Sequence, residues 1–211
     1  MIAEKLYALA SQAPVVPVFY EADAARACEL TQACYEGGLR IVEFTNRGEA
    51  ALTVFPELVR YVRQHCPDML VGIGTILTAD QAEDFMEAGA DFVVQPVTTA
   101  EVGKVCARQN IPWIPGAMTP TEIYQATLLG ASLVKVFPGS AVGPGYVKAI
   151  KAPMPQLRLM ITGGVEPTPE SVQAWLGAGA SAVGIGSQLF SGGEPDAIRN
   201  RIQTLLSAIR S

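Results

Sequence analysis

Short apolar runs alternate along the chain with longer segments whose apolar positions recur at helical spacing. Eight runs read as strands: Val15 to Tyr20, Leu39 to Phe44, Met69 to Ile73, Asp91 to Val94, Pro112 to Ile114, Leu133 to Phe137, Arg158 to Thr162 and Ala182 to Ile185. Ahead of the first, Met1 to Ser11 carries Ile2, Leu6 and Leu9 on one helical face, which predicts a short leader helix that Pro14 ends.

A weak internal repeat supports this division. Gly37-Gly38, Gly89-Ala90, Gly130-Ala131 and Gly179-Ala180 precede the even-numbered runs, where a helix needs a left-handed residue to end on. Pro14, Pro67, Pro112 and Pro155 stand at or before the odd-numbered ones. Pairs of strand-helix units thus recur every roughly 40 to 55 residues, the signature of a barrel assembled from quarter-turns. The pattern predicts a single α/β domain over residues 1–211, a (β/α)8 TIM barrel behind the leader helix. An open doubly wound sheet is the structural alternative, disfavoured because no glycine-rich nucleotide loop follows the first run.

Within the sixth run sits one lysine, Lys135, among residues that otherwise read as fully buried. An ammonium there requires a depressed pKa, a close carboxylate, or both, unless it snorkels to solvent from a strand end. Strand alternation puts Leu133, Lys135 and Phe137 on one face and Val134 and Val136 on the other. In the second run Ile41, Glu43 and Thr45 share a face against Val42 and Phe44; in the seventh, Arg158, Met160 and Thr162 stand against Leu159 and Ile161. Lys135 and Glu43 can therefore both point into the barrel. Structurally they would be a buried ion pair. Chemically they would be an imine-forming amine and a proton shuttle, the carboxyl being raised in pKa by desolvation. Spacing alone does not choose between these.

Composition narrows the classes. The 211 residues are 49% hydrophobic and only 17% charged, below the roughly 25% of an ordinary soluble domain, so part of the outside is expected to be covered by other subunits. A net charge of -5, without acidic or basic blocks, argues against a nucleic-acid partner. Cys28, Cys34, Cys66 and Cys106 lack CxxC spacing, and the single histidine, His65, completes no zinc site with them. Buried reduced thiols and no metal are the expectation, with His65 on an outer helix and Trp113 and Trp175 filling packing gaps. The first residues lack a signal pattern and no apolar run is long enough to span a bilayer, which predicts a soluble cytoplasmic protein with no membrane partner.

Further candidates flank the strands. Arg47, just past the second, suits a bidentate clamp on a substrate carboxylate or is an ordinary loop arginine. Gly72-Ile73-Gly74-Thr75 closes the third, where two glycines would let the backbone and the Thr75 hydroxyl approach a ligand, or simply make a turn. Thr162-Gly163-Gly164 and Gly184-Ile185-Gly186-Ser187 end the seventh and eighth. Paired glycine turns there suit a phosphate cradle of exposed N–H groups before helix N-termini; turn chemistry alone is the other reading.

Six stretches together resemble the 2-keto-3-deoxy-6-phosphogluconate aldolases, which also act as 4-hydroxy-2-oxoglutarate aldolases. They are Pro14-Val15-Val16-Pro17-Val18, Glu43-Phe44-Thr45-Asn46-Arg47, Gly72-Ile73-Gly74-Thr75, Ile114-Pro115-Gly116, Lys135-Val136-Phe137-Pro138 and Thr162-Gly163-Gly164-Val165. The resemblance implies a cofactor-independent class I aldolase that cleaves a small-molecule keto acid to pyruvate and an aldehyde. By it, Lys135 matches the Schiff-base lysine, Glu43 the general acid/base, and Arg47 with Thr75 the binders of the pyruvyl carboxylate. Thr162 matches a substrate-contacting threonine and Phe137 a residue packed beside the imine. Gly163, Gly164, Gly186 and Ser187 fall where the family holds the distal phosphate, and a homotrimer is implied. Two loops depart from the family pattern: Gln95-Pro96-Val97 stands where many relatives carry Ser-Pro-Gly, and Gly139-Ser140 replaces a frequent Ala-Glu. A thiamine-phosphate-synthase-like barrel, a sugar-phosphate isomerase or epimerase barrel, and a phosphometabolite-binding barrel without turnover are the rival readings.

Overall fold

The computed structural model describes residues 2–210; Met1, counted above in the leader helix, lies outside them. Helix α1 (Ile2–Gln12) precedes strands β1 (Val15–Phe19), β2 (Ile41–Thr45), β3 (Leu70–Gly74), β4 (Phe92–Val94), β5 (Trp113–Ile114), β6 (Gly116–Ala117), β7 (Val134–Val136), β8 (Leu159–Thr162) and β9 (Ala182–Ile185). Between and after them run α2 (Ala24–Glu36), α3 (Ala51–His65), α4 (Ala79–Glu87), α5 (Ala100–Arg108), α6 (Pro120–Leu128), α7 (Pro144–Lys151), α8 (Pro169–Gly177) and α9 (Pro195–Arg210). All pairings are parallel, in the order β5-β4-β3-β2-β1-β9-β8-β7-β6.

Nine segments replace the eight strands predicted because Pro115 has no N–H to give to a ladder. The chain changes neighbours across it: β5 pairs with β4, whereas β6 pairs with β7. The proline's carbonyl still accepts from Lys135 N at 2.8 Å, and Ala117 O accepts from Phe137 N at 3.2 Å. β5 and β6 are thus two halves of one stave, and the TIM-type barrel is nearly closed.

Helix ends follow their residues. Asp23, Thr78, Thr119 and Thr168 cap α2, α4, α6 and α8 by accepting from backbone N–H groups in the first turn. Gly38, Gly89, Gly130 and Gly179 take positive φ angles of 93° to 107° where helices reverse into strands, the role their spacing predicted.

The alternation along each strand sorts two cores. Val42, Phe44, Val134, Val136, Leu159 and Ile161 pack outward against the helices. Val16, Ile41, Leu70, Phe92, Ile114, Leu133, Met160 and Ala182 fill the lower barrel, which Leu6 and Ala10 of α1 plug from below. At that lower rim Arg158 lies over the Tyr7 ring, 3.8 Å from its centroid.

Trp113 and Trp175 are buried in the outer core. His65 is exposed at the end of α3, with its ring 4.4 Å from that of Tyr61. The four cysteines are unpaired; Cys28 departs from expectation in being only partly buried. Burial pushes the Cys66 thiol up to about 11 and the Cys106 thiol up to about 12, so neither is a ready nucleophile. Among the described residues no helix is long and apolar enough to cross a membrane.

Candidate active site

Two residues above the apolar layer the same alternation delivers polar side chains. Glu43 from β2 and Lys135 from β7 meet inside the barrel with Oε1 and Nζ 3.3 Å apart, their side chains 1% and 7% exposed. Glycine makes this possible: a Cβ at Gly74 would lie 2.0 Å from Glu43 Oε1. The close approach read from the glycines of β3 is therefore to a carboxylate of the protein itself.

The second Glu43 oxygen, Oε2, and the Thr162 hydroxyl are buried without a hydrogen-bond partner among the described residues. Such atoms cost about 1 to 3 kcal/mol each if left unmatched; these two stand on inward positions of β2 and β8, where another polar group could meet them, while the third of the kind, the Thr31 hydroxyl, lies on α2. Gly184 leaves room for Thr162, whose Oγ1 lies 2.6 Å from where a glycine Cβ would be.

A cavity of about 640 Å³ opens at the carboxyl ends of the strands, the face on which barrel enzymes carry their chemistry. Arg47, Phe137, Thr162, Gly163, Gly164, Gly186 and Ser187 line it. Its wall reaches Val18, the register partner of Glu43, and the Phe137 ring, whose centroid lies 5.5 Å from Lys135 Nζ. Lys135, Glu43 and Thr75 are not among its lining residues. Thr75 follows β3 in a left-handed conformation, φ 61°.

Arg47 is oriented from below. Its Nε donates to Thr45 Oγ1 at 3.1 Å, and that hydroxyl donates in turn to Phe19 O at 3.1 Å. The guanidinium thereby faces the cavity with donors to spare for a carboxylate.

The glycine turns differ from expectation in one respect. Gly163 and Gly164 adopt φ angles of 84° and 77°, but α8 begins only at Pro169, with its first turn capped by Thr168. After β9 the chain enters a short 3₁₀ turn, Ser187–Phe190, instead of an α-helix. No α-helix N-terminus directly follows either glycine turn. Gly164 packs directly on Ser140, whose Cα would lie 2.7 Å from an added Cβ, so the Gly139-Ser140 step backs the cavity wall.

Tyr20, Glu21, Arg26, Gln188 and Phe190 also line the cavity and were not singled out from sequence. The available signal was position: Tyr20 and Glu21 follow directly on β1, and residues just past any barrel strand stand on this face. Arg26 reaches across from α2 to donate to Gly193 O, a pairing no local pattern reveals. Among the described residues no cluster of three or more histidine, cysteine, aspartate or glutamate side chains is arranged to hold a metal ion.

A parallel barrel with a buried amine and carboxylate beneath a glycine-walled cleft defines a class of enzyme, the lysine-dependent aldolases. Within it the chain matches the KDPG and KHG aldolase family model over residues 6–202. It is 38% identical to the 2-dehydro-3-deoxy-phosphogluconate aldolase of Haemophilus influenzae over 165 residues, 78% of this chain and 74% of that one. Among solved structures, a 4-hydroxy-2-oxoglutarate/2-dehydro-3-deoxyphosphogluconate aldolase superposes with TM-score 0.85 at 28% identity, covering 96% of this chain and 98% of that one. The KDPG aldolase of Legionella pneumophila, captured with pyruvate as a covalent carbinolamine, gives 0.79 at 29% identity over 97% and 96%. The chain therefore belongs to the KDPG and KHG aldolases, class I enzymes that work through pyruvate.

Proposed function

We propose that this chain cleaves a 2-keto-3-deoxy sugar acid, 6-phosphorylated, or 4-hydroxy-2-oxoglutarate, to pyruvate and an aldehyde, with Lys135 as nucleophile and Glu43 as proton shuttle. The observation that carries the reading is the buried Lys135–Glu43 contact of 3.3 Å with the second Glu43 oxygen unmatched.

With its proton passed to Glu43, the Lys135 amine attacks the C2 ketone. Glu43 donates a proton to the carbinolamine oxygen, water leaves, and a protonated imine remains. That cation draws the electron pair of the C3–C4 bond as Glu43 takes the C4 hydroxyl proton, directly or through water. An aldehyde departs and a pyruvate enamine stays on Lys135. Protonation at C3 and hydrolysis of the imine release pyruvate and restore the amine.

The remaining residues divide the substrate. Arg47 and the Thr75 hydroxyl hold the carboxylate, Phe137 covers the imine and Thr162 contacts the reacting half. Gly163, Gly164, Gly186 and Ser187 receive the distal phosphate, which the exposed N–H groups of a left-handed Gly-Gly turn favour. No cofactor is assigned, since the iminium serves as the electron sink.

The same proposal includes one aldolase domain over residues 1–211 that assembles as a homotrimer in the cytoplasm. Exposed Tyr124 and Leu128 on α6, Met118 and Leu129 at its ends, and Leu77 and Val97 on the loops after β3 and β4 support a subunit contact. Four unpaired cysteines suit a reducing compartment. The test is to incubate the protein with pyruvate and borohydride and map the reduced adduct by mass spectrometry. An adduct on Lys135 is expected; folded protein without one would sink the aldolase assignment in favour of a binding role.

A further inference from the structure

Thr75 is β-branched, and at φ 61° such a residue is strained. A conformation of this kind persists only where the flanking backbone is held on both sides. Gly74 O accepts from Asn46 N at 2.8 Å, and Ile76 N donates to Val94 O at 3.3 Å. The Ile76 carbonyl, one residue past the strain, accepts from Gln95 Nε2 at 3.2 Å.

Gln95 is fully buried, and its amide has no freedom to turn. Nε2 also donates to Thr99 Oγ1 at 3.0 Å, Oε1 accepts from Trp113 Nε1 at 2.8 Å, and its own backbone N–H donates to Ile114 O at 3.0 Å. An inverted amide would set donor against donor at Trp113 and acceptor against acceptor at Ile76. One side chain thus joins the loop after β3 to the first turn of α5 and to β5.

We propose that Gln95 is a positioning residue for capture of the keto acid. Held by Trp113 and Thr99, it fixes the Ile76 carbonyl and so keeps Thr75 in the left-handed conformation from which its hydroxyl meets the substrate carboxylate. The inference rests on the reading of Thr75 given above. A purely structural Gln95 would affect melting temperature and leave substrate affinity of the folded protein alone.

The test uses the full chain and Gln95→Met, which keeps length and removes the hydrogen bonds. The pyruvate concentration that half-saturates borohydride trapping on Lys135 is expected to rise on the order of tenfold, as for a binding group moved by a fraction of an ångström. The kcat of cleavage should stay within about twofold. In a Thr75→Ala background, Gln95→Met should change half-saturation no further, because its effect passes through the missing hydroxyl. An unchanged half-saturation, or the same penalty in both backgrounds, would overturn the proposal while wild type still traps pyruvate. Wild type that traps nothing would instead overturn the aldolase reading. A second measurement needs no Gln95 variant: Thr75→Gly should melt above Thr75→Ala, since only glycine accepts φ 61° without strain, and the reverse order would overturn the proposal too.

Discussion

The barrel interior has two storeys made by the same strands, and they obey opposite rules. Ile41, Leu70, Leu133 and Met160 form the lower one and leave no polar atom to match. Two residues further on, Glu43, Lys135 and Thr162 form the upper one, with two buried oxygens unmatched; Gly72, the register partner of Glu43, has no side chain and leaves its space to the Phe92 ring of the lower one. Charges at the lower rim are paired outright: Arg40 with Asp68 at 2.7 Å, Arg63 with Asp91 at 2.7 Å. Stability and chemistry are thus separated by a single period of strand alternation, about 7 Å along the strand.

Removing the amine should break the upper storey most completely. Lys135→Met is expected to abolish the pyruvate adduct and lower kcat/KM by about 10⁴-fold or more, because no other nucleophile replaces it. The variant also strands Glu43, and breaking a buried pair from one side costs about 3 to 5 kcal/mol. Lys135→Met combined with Glu43→Gln should recover much of that stability and none of the activity. If the double variant were no more stable than the single one, the view of the two side chains as a coupled buried pair would be wrong.

Phe92→Ala does the reverse. The ring fills the lower barrel against Gly72, where an added Cβ would lie 2.1 Å from Phe92 Cε2. Its truncation should destabilise by about 3 to 5 kcal/mol, read as a melting temperature lower by roughly 6 to 20 °C for a chain this size. Turnover per folded molecule should hold. A proportionate loss of kcat would show that the storeys are not separable.

Gly74→Ala lies on the boundary. Its methyl would meet Glu43 Oε1 at 2.0 Å, Cδ at 2.7 Å and Cγ at 2.9 Å, so the whole buried side chain must shift. The proton shuttle is then displaced from Lys135, with kcat falling about 10²-fold, and the loosened pair should cost stability as well. Rates near wild type would mean that Glu43 need not sit beside the amine.

Much of this division could be read before any coordinates, because alternation is local. Lys135 and Glu43 share the inward parity of Leu133 and Ile41, and glycine before a strand marks where a helix must reverse. What escaped depends on contacts between distant segments. Pro115 reads as a strand end, and only the neighbouring ladders reveal that the chain continues across it. Arg26 lies in a helix that looks outward, yet it enters the cleft through a bond to Gly193. The helix N-termini expected behind the glycine turns are absent there, since Val165 to Thr168 intervene before α8 begins. The catalytic roles proposed for Lys135 and Glu43, and the carboxylate-binding role proposed for Arg47, rest on resemblance to the family together with their geometry.

The smallest effect belongs to the lower rim and sharpens the contrast by its sign. The Tyr35 hydroxyl, donating to Asp68 Oδ1 at 2.7 Å, and after it the Arg40 guanidinium hold the Asp68 carboxyl below the usual carboxylate range. A carboxylate with a lowered folded-state pKa contributes stability above its unfolded value, near 4, and loses it as pH falls through the folded one. Asp68→Asn should therefore melt below wild type at pH 7, and the two curves should converge in acid as the wild-type carboxyl takes up its proton. The side chain is 56% exposed, so screening keeps the difference to about 1 kcal/mol or less. Pyruvate trapping at Lys135 should be untouched, because this charge already has its partners, whereas above the apolar layer the second Glu43 oxygen and the Thr162 hydroxyl have none among the described residues. A gap in melting temperature that widens below pH 4 would reverse the sign and show that Asp68 is strained, not satisfied, in the fold.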